Sequence, residues 1–211
     1  MLSTIVDVFL HLDRHLAEFV QAHGAWTYGM LFTIVFLETG VVVTPFLPGD
    51  SLLFACGALA ASGALDPGML FLVLASAAIL GDTANYSIGK AIGPRAFSGN
   101  VRFLKKEHLD RTRAFYERHG GKTLFLARFV PIIRTFAPFV AGVGTMRYGR
   151  FASYNVFGGL VWVGVCLGGG YAFGNIPVVK DNFSLVVLGI VVVSLLPLAV
   201  EYVRHRRRGG A

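Results

Sequence analysis

Charge is what this chain is short of. Only 15% of its 211 residues are Asp, Glu, Lys or Arg, against roughly 25% in an ordinary soluble domain. The hydrophobic share is 55% and the mean hydropathy is +0.63. That balance argues against a soluble domain and for a polytopic membrane protein. Cysteine is nearly absent: Cys56 and Cys166 both lie in apolar runs, where they read as small buried hydrophobes with the spacing of neither a metal site nor a redox pair. Histidine is missing from the apolar runs altogether. His11, His15, His23, His108, His119 and His205 fall in polar or interfacial stretches, so no embedded pair serves a metal or phosphohistidine chemistry, and neither metal nor cofactor is expected. Gly89-Lys90 looks like the end of a phosphate loop, but Ala84 stands where its first glycine belongs and Ala91 where Ser or Thr belongs. Residues 1–23 lack the charged-then-apolar order of a cleavable signal, so no targeting peptide is expected.

What is present is a series of apolar segments from residue 24 to residue 203. They are parted by one substantial polar stretch, 94–122, too short for a second domain. The expected organisation is an amphipathic interfacial helix at 1–23, a single membrane domain at 24–203 and a basic cytoplasmic tail at 204–211. Within the membrane domain the pattern predicts a hairpin at 24–49, spans at 50–65 and 69–93, a surface helix at 102–121, a second hairpin at 122–146, and spans at 151–176 and 183–203. The hairpins are inferred from their breaks. Pro45, Pro48 and Gly49 interrupt the first and Pro131 and Pro138 the second; each proline removes a backbone donor, and the freed carbonyl must find protein or water. The fold class expected is an all-α polytopic membrane protein built as an inverted pseudo-repeat. Each half is a proline-broken re-entrant helical hairpin plus two transmembrane helices, the plan in which hairpin ends meet near the midplane and hold a substrate.

Charge is also unevenly placed. Residues 1–100 hold three Lys and Arg against seven Asp and Glu, while residues 101–211 hold sixteen against five. The basic residues sit in short loops beside apolar segments, which fits positive-inside orientation and argues against a nucleic-acid partner. The 94–122 segment and the tail then face the cytoplasm, and the count of crossings puts the N-terminus there too. Lys105, Lys106, Arg111, Arg113 and Arg118 suit anionic headgroups, and a solvated positive-inside loop explains them equally well.

Four charged residues break the apolar runs. Residues 24–65 carry no formal charge except Glu38 and Asp50, and residues 123–146 none except Arg128 and Arg134. A charge at bilayer depth costs at least about 2.5 kcal/mol, so it persists where it faces a protein interior or a wet cavity and acts there. Acids and arginines in mirrored broken segments point to membrane transport. Asp82, beside Gly81, is a third embedded acid, either a proton or ion site or a structural partner for a helix end or a neighbouring hydroxyl. Trp26, Tyr28, Trp162 and Tyr171 read as interface anchors or packing.

Taken together, Phe36-Leu37-Glu38-Thr39-Gly40, Pro45-Phe46-Leu47-Pro48-Gly49-Asp50, Gly81-Asp82 with Tyr86, Gly89 and Gly93, Arg128 to Arg134 leading to Ala141-Gly142 and Met146, and Asn155, Gly158 and Trp162 form a pattern that resembles the DedA family, whose members carry the VTT (SNARE-associated) domain. The likeness covers residues 20–175. It implies a multi-pass protein of the bacterial cytoplasmic membrane that moves lipid or sustains proton-coupled transport; several bacterial members are linked to recycling undecaprenyl phosphate, and eukaryotic relatives scramble phospholipids. The family's acidic pair falls on Glu38 and Asp50, with Asp where many members have Glu, and its arginine pair on Arg128 and Arg134.

With that resemblance the residues take roles. Arg128 and Arg134 are expected to bind a lipid phosphate, because guanidinium donates in a planar fork and stays charged. Glu38, Asp50 and Asp82 are expected to carry protons. The reading is therefore a flippase for a polyprenyl phosphate such as undecaprenyl phosphate, coupled to protons, and not an enzyme. A cation/proton antiporter and a phospholipid scramblase are the alternatives. A polyprenyl pyrophosphate phosphatase fits less well, since no embedded nucleophile is evident. A purely structural salt bridge between the hairpins stands beside all of them.

Overall fold

The computed structural model describes residues 22–41, 49–92, 120–128, 131–144 and 146–174, with isolated positions around them at 18, 20, 112, 113, 116, 176, 177, 179, 185, 186 and 189. Outside the described residues lie nearly all of the expected helix at 1–23, the segment holding Pro45 and Pro48, most of the expected surface helix at 102–121, most of the span at 183–203 and the tail.

The described regular structure is helical throughout. Helix α1 (Trp26–Gly40) ends where Val41 turns extended and its N–H is received by the Leu37 carbonyl, just before the β-branched run Val41-Val42-Val43-Thr44 and Pro45. Helix α2 (Gly49–Ala61) opens with Asp50 in its first turn, where a negative charge complements the helix dipole. It closes through Gly63, whose φ of +80° suits glycine. Helix α3 (Pro67–Ile92) begins with proline at its first position, and the Asp66 carboxylate accepts a 2.6 Å bond from the Met69 N–H, so Asp66-Pro67 is a helix start. A 3-10 turn (Gly120–Lys122) leads into the short α4 (Thr123–Ala127), followed by α5 (Pro131–Val143) and α6 (Tyr148–Phe173).

Lengths sort these helices. Both α3 and α6 have 26 residues and are long and apolar enough to cross a membrane, about 39 Å at the α-helical rise. Large apolar side chains stand out along them, with Leu72 at 67%, Phe157 at 60% and Val165 at 61% exposure, as a lipid-facing surface requires. The 13 residues of α2 reach about 20 Å, short of the roughly 30 Å of hydrocarbon, so this helix is no longer than the arm of a hairpin. The 13-residue α5 is equally short. Pro138, expected as a break, lies inside a continuous α5. The interruption in this region falls instead after α4, and Pro131 opens the next helix.

Packing divides the described helices into two interlocked sets. Helix α3 packs against α1 and α5, while α6 packs against α2 and α4, and α3 and α6 touch each other. Each long helix thus carries the shorter helix that precedes it by two in the chain and one shorter helix from the other side of the 94–122 segment. The larger core joins Leu31 and Val35 of α1, Leu53 and Cys56 of α2, Leu70 and Leu74 of α3, and Trp162, Val163 and Leu167 of α6. A second core forms around Tyr86, whose ring stacks on Phe151 at 4.3 Å and whose hydroxyl donates to the Met146 carbonyl at 2.7 Å. Glycine closes both the α2–α6 and the α3–α5 seams. A Cβ at Gly57 or Gly170 would run into the backbone of the facing helix of the α2–α6 pair, and one at Gly89 or Gly142 into that of the α3–α5 pair.

Candidate functional site

The helix ends bring the predicted charges together. Glu38 lies in the last turn of α1, Asp50 in the first turn of α2, Arg128 directly after α4 and Arg134 in the first turn of α5. The Arg134 guanidinium donates from Nη2 to Glu38 Oε1 at 2.7 Å and from Nη1 to Asp50 Oδ1 at 3.0 Å, so one arginine bridges the end of α1 and the start of α2. These side chains are 14%, 8% and 30% exposed. Arg128, the more buried arginine at 4%, donates from Nη2 to Asp82 Oδ2 at 2.5 Å. The same nitrogen bonds Asn155 Oδ1 at 2.7 Å and reaches the Asn155 carbonyl at 3.3 Å.

Helix α6 supplies the floor. Asn155 and Trp162 are seven residues apart, two helical turns, and so share a face. Trp162 is 2% exposed; its indole N–H donates to Asp50 Oδ1 at 2.8 Å, and its ring lies 4.2 Å from the Arg134 guanidinium carbon and 6.0 Å from that of Arg128. A cation over an indole face in a desolvated site gains about 2 kcal/mol. The Asn155 amide donates to the Ile79 carbonyl at 2.9 Å and to Thr83 Oγ1 at 3.3 Å, which ties α6 to α3 beside Asp82. Glycines make the room. A Cβ at Gly158 would lie 2.9 Å from Arg128 Nε, and one at Gly49 would overlap the Glu38 carboxylate, 2.6 Å from Oε1. Gly49, expected as a hairpin break, is therefore also the space that Glu38 occupies.

Two guanidiniums face three carboxylates in this cluster. With every group ionised the set carries one surplus negative charge. Glu38 Oε2 is buried and without a hydrogen-bond partner. A low-dielectric site holds surplus charge at high cost, so one proton, or one extra positive group, completes its balance. Among the described residues no three His, Cys, Asp or Glu side chains are grouped to hold a metal ion. Cys56 and Cys166 are both free thiols.

All five charged residues singled out in the sequence, Asp82 included, meet in this one network; Pro45 and Pro48 lie outside the described residues. Trp162, read as an anchor or packing residue, is packed in the larger core and in addition hydrogen-bonds an acid and underlies an arginine. Asn85 was not singled out at all. Its signal was an amide one turn beyond Asp82, the only Asn or Gln in a mostly apolar helix.

The VTT domain is matched over residues 47–172. The chain is 54% identical to the protein DedA of Escherichia coli K12 over 206 residues, 96% of this chain and 94% of that one. It is 47% identical to an uncharacterized membrane protein of Mycobacterium tuberculosis H37Rv over 186 residues, 86% and 81% of the two chains. With the inner membrane protein YghB of E. coli K12 it shares 33% over 202 residues, 94% and 91%. No solved structure matches.

Proposed function

The chain belongs to the DedA family of VTT-domain membrane proteins, and on that premise we propose that it is a transporter that moves a polyprenyl phosphate, such as undecaprenyl phosphate, across the bacterial cytoplasmic membrane, coupled to protons. The observation that carries the reading is Arg134, held at once by Glu38 and Asp50 across the hairpin ends. A fork-shaped cation offered to two carboxylates in a mostly buried site is equally suited to two phosphate oxygens. Protonation of a carboxylate frees donors of the guanidinium, the phosphate takes them, and loss of the phosphate returns them. One proton bound together with one anionic headgroup, and released with it, keeps the cluster's charge nearly constant through the cycle.

The helix pattern supports an inverted repeat. Each half runs from a first arm through a 13-residue second arm to a 26-residue helix, and each second arm packs on the long helix of the other half. On this reading α1 with α2, and α4 with α5, are re-entrant hairpins whose ends meet at the midplane. Positive-inside orientation keeps the basic 94–122 segment and the C-terminal tail in the cytoplasm; the expected cytoplasmic N-terminus rested on a separate span at 50–65, and with α2 as a hairpin arm the crossings no longer require it. The protein catalyses no covalent step.

One observation favours a second reading. Three carboxylates against two guanidiniums also suit a cation/proton antiporter. The two readings part at the arginines. Movement of a labelled polyprenyl phosphate in proteoliposomes, with and without a proton gradient, is expected to respond to the gradient and to fall at least about tenfold in Arg134→Lys and Arg128→Lys, because an ammonium cannot replace a two-point fork. Full activity of both lysine variants, or no movement above empty liposomes, refutes the lipid-phosphate reading.

A further inference from the structure

Asn85 lies in the C-terminal third of α3, fully buried at 0% exposure. Its side-chain nitrogen donates to two backbone carbonyls, that of Thr39 at 3.2 Å and that of Thr135 at 2.9 Å. Both partners are acceptors, so chemistry fixes the amide orientation: the nitrogen must face them. The amide oxygen then points elsewhere and has no hydrogen-bond partner in the interior. A buried acceptor left unmade is costly, so this side chain is retained for its two donors.

The two carbonyls are specific. Thr39 follows Glu38 in the last turn of α1, whose terminal carbonyls have no partner within the helix. Thr135 follows Arg134 in α5, and its carbonyl accepts the Asn85 amide from the side of α3. Asn85 therefore grips the residues next in chain to both members of the 2.7 Å Glu38–Arg134 pair. Its reach depends on glycines four residues to either side on the same helix face. A Cβ at Gly81 would lie 2.8 Å from the Phe36 carbonyl oxygen of α1, and one at Gly89 would lie 2.9 Å from the Phe139 carbonyl carbon of α5. The Gly81-Asn85-Gly89 stripe lets α1 and α5 close on α3 until one short amide spans both.

We infer that Asn85 is a positioning residue: it clamps the C-terminal turn of α1 and the Thr135 turn of α5 onto α3, and so presets the Glu38–Arg134 pair in register. The inference concerns the site of the proposed transport but needs no cargo for its test.

The test is a coupling measurement in detergent-solubilised full-length protein. Glu38→Gln and Arg134→Met, singly and together, give the factor by which the pair lowers the unfolding equilibrium constant. The same cycle repeated with Asn85→Leu, similar in shape but without donors, is expected to lower that factor about tenfold, roughly what one to two net hydrogen bonds are worth. The coupling of Arg128 with Asp82, measured in parallel, is expected to stay within about twofold. A merely structural asparagine would lower stability yet leave both coupling factors in place. An unchanged Glu38–Arg134 factor, or an equal fall in both, overturns the inference. Should Asn85→Leu not fold, Asn85→Ser retains one donor; it is expected to lower only the Glu38–Arg134 factor by about threefold, and no change there overturns the inference equally. Failure of polyprenyl phosphate transport leaves this cycle unaffected, so the two readings fail separately.

Discussion

Replacing Arg134 with methionine is the perturbation whose size the structure sets most directly. It deletes two charge-assisted bonds, at 2.7 Å to Glu38 and 3.0 Å to Asp50, and a guanidinium 4.2 Å from the Trp162 ring. Asp50 keeps the indole N–H of Trp162 and is 30% exposed, so water compensates part of its loss. Glu38 has no such relief: its side chain is 8% exposed and its second oxygen already has no partner. Stripping one member from a buried pair costs about 3–5 kcal/mol. At about 2–4 °C per kcal/mol for a chain of this size, the midpoint of thermal unfolding in detergent should fall by roughly 6–20 °C. Adding Glu38→Gln to Arg134→Met removes the stranded charge at almost constant shape and should recover about half of that drop, although Glu38→Gln alone destabilises. A single variant melting within about 2 °C of the parent, or a double variant no more stable than the single, would refute a low-dielectric pair.

Two further outcomes follow from the packing. Gly142→Ala should destabilise by about 1–3 kcal/mol, because its Cβ would lie 2.9 Å from the Lys90 nitrogen and closer still to the Tyr86 carbonyl, whereas Gly168→Ala, with nothing within 4 Å, should change thermal stability by less than about 0.5 kcal/mol; equal effects would mean that the α3–α5 seam is not closed at this distance. Trp162→Phe keeps a ring for Arg134 but loses the 2.8 Å bond to Asp50, so transport in proteoliposomes should fall about three- to tenfold, and Trp162→Leu should fall further by the lost ring face. Equal rates in the two variants would show that the ring face is idle.

The sequence made the charges legible because the bilayer makes them conspicuous. Glu38, Asp50, Arg128 and Arg134 stand alone in apolar runs, and the cost of embedding them marks them without any knowledge of their partners. Which acid meets which arginine was not legible, since the pairing of Arg134 with both Glu38 and Asp50 depends on how two broken segments far apart in sequence converge. Asp82 shows the same limit: position alone left it between a functional and a structural role, and only contact assigns it to Arg128. Helix lengths misled at α2. An uncharged stretch reaching Leu65 read as a span, but Gly63 takes a positive φ and Asp66 caps the next helix, so the helical part stops at Ala61. Pro138 misled because proline was taken to end a helix, whereas at this place packing on α3 carries α5 through it. Asn85, Asn155 and Gly158 carry no charge, and uncharged residues gain meaning here from what lies opposite them.

The division of the helices into two packed sets gives the two arginines matching positions. Arg134 belongs to the set of α1, α3 and α5; within it the partner is Glu38, and across the seam the partner is Asp50 on α2. Arg128 follows α4 in the set built on α6; within it the partner is Asn155, and across the seam the partner is Asp82 on α3. Each arginine is therefore held by one side chain of its own set and by one carboxylate of the other. Protonating Asp50 and Asp82 would weaken both charged ties across the seam while leaving each guanidinium one partner on its own side. Glu38 differs from these acids, because its bond lies inside one set and cannot by itself hold the two together. On the proposed transport cycle, Asp50 and Asp82 govern whether the sets are latched, and Glu38 governs whether Arg134 has a free pair of donors. On that cycle the three acids, grouped in the sequence as candidate proton carriers with Asp82 also open to a structural role, have separate tasks, and the separation comes from which helix carries each one.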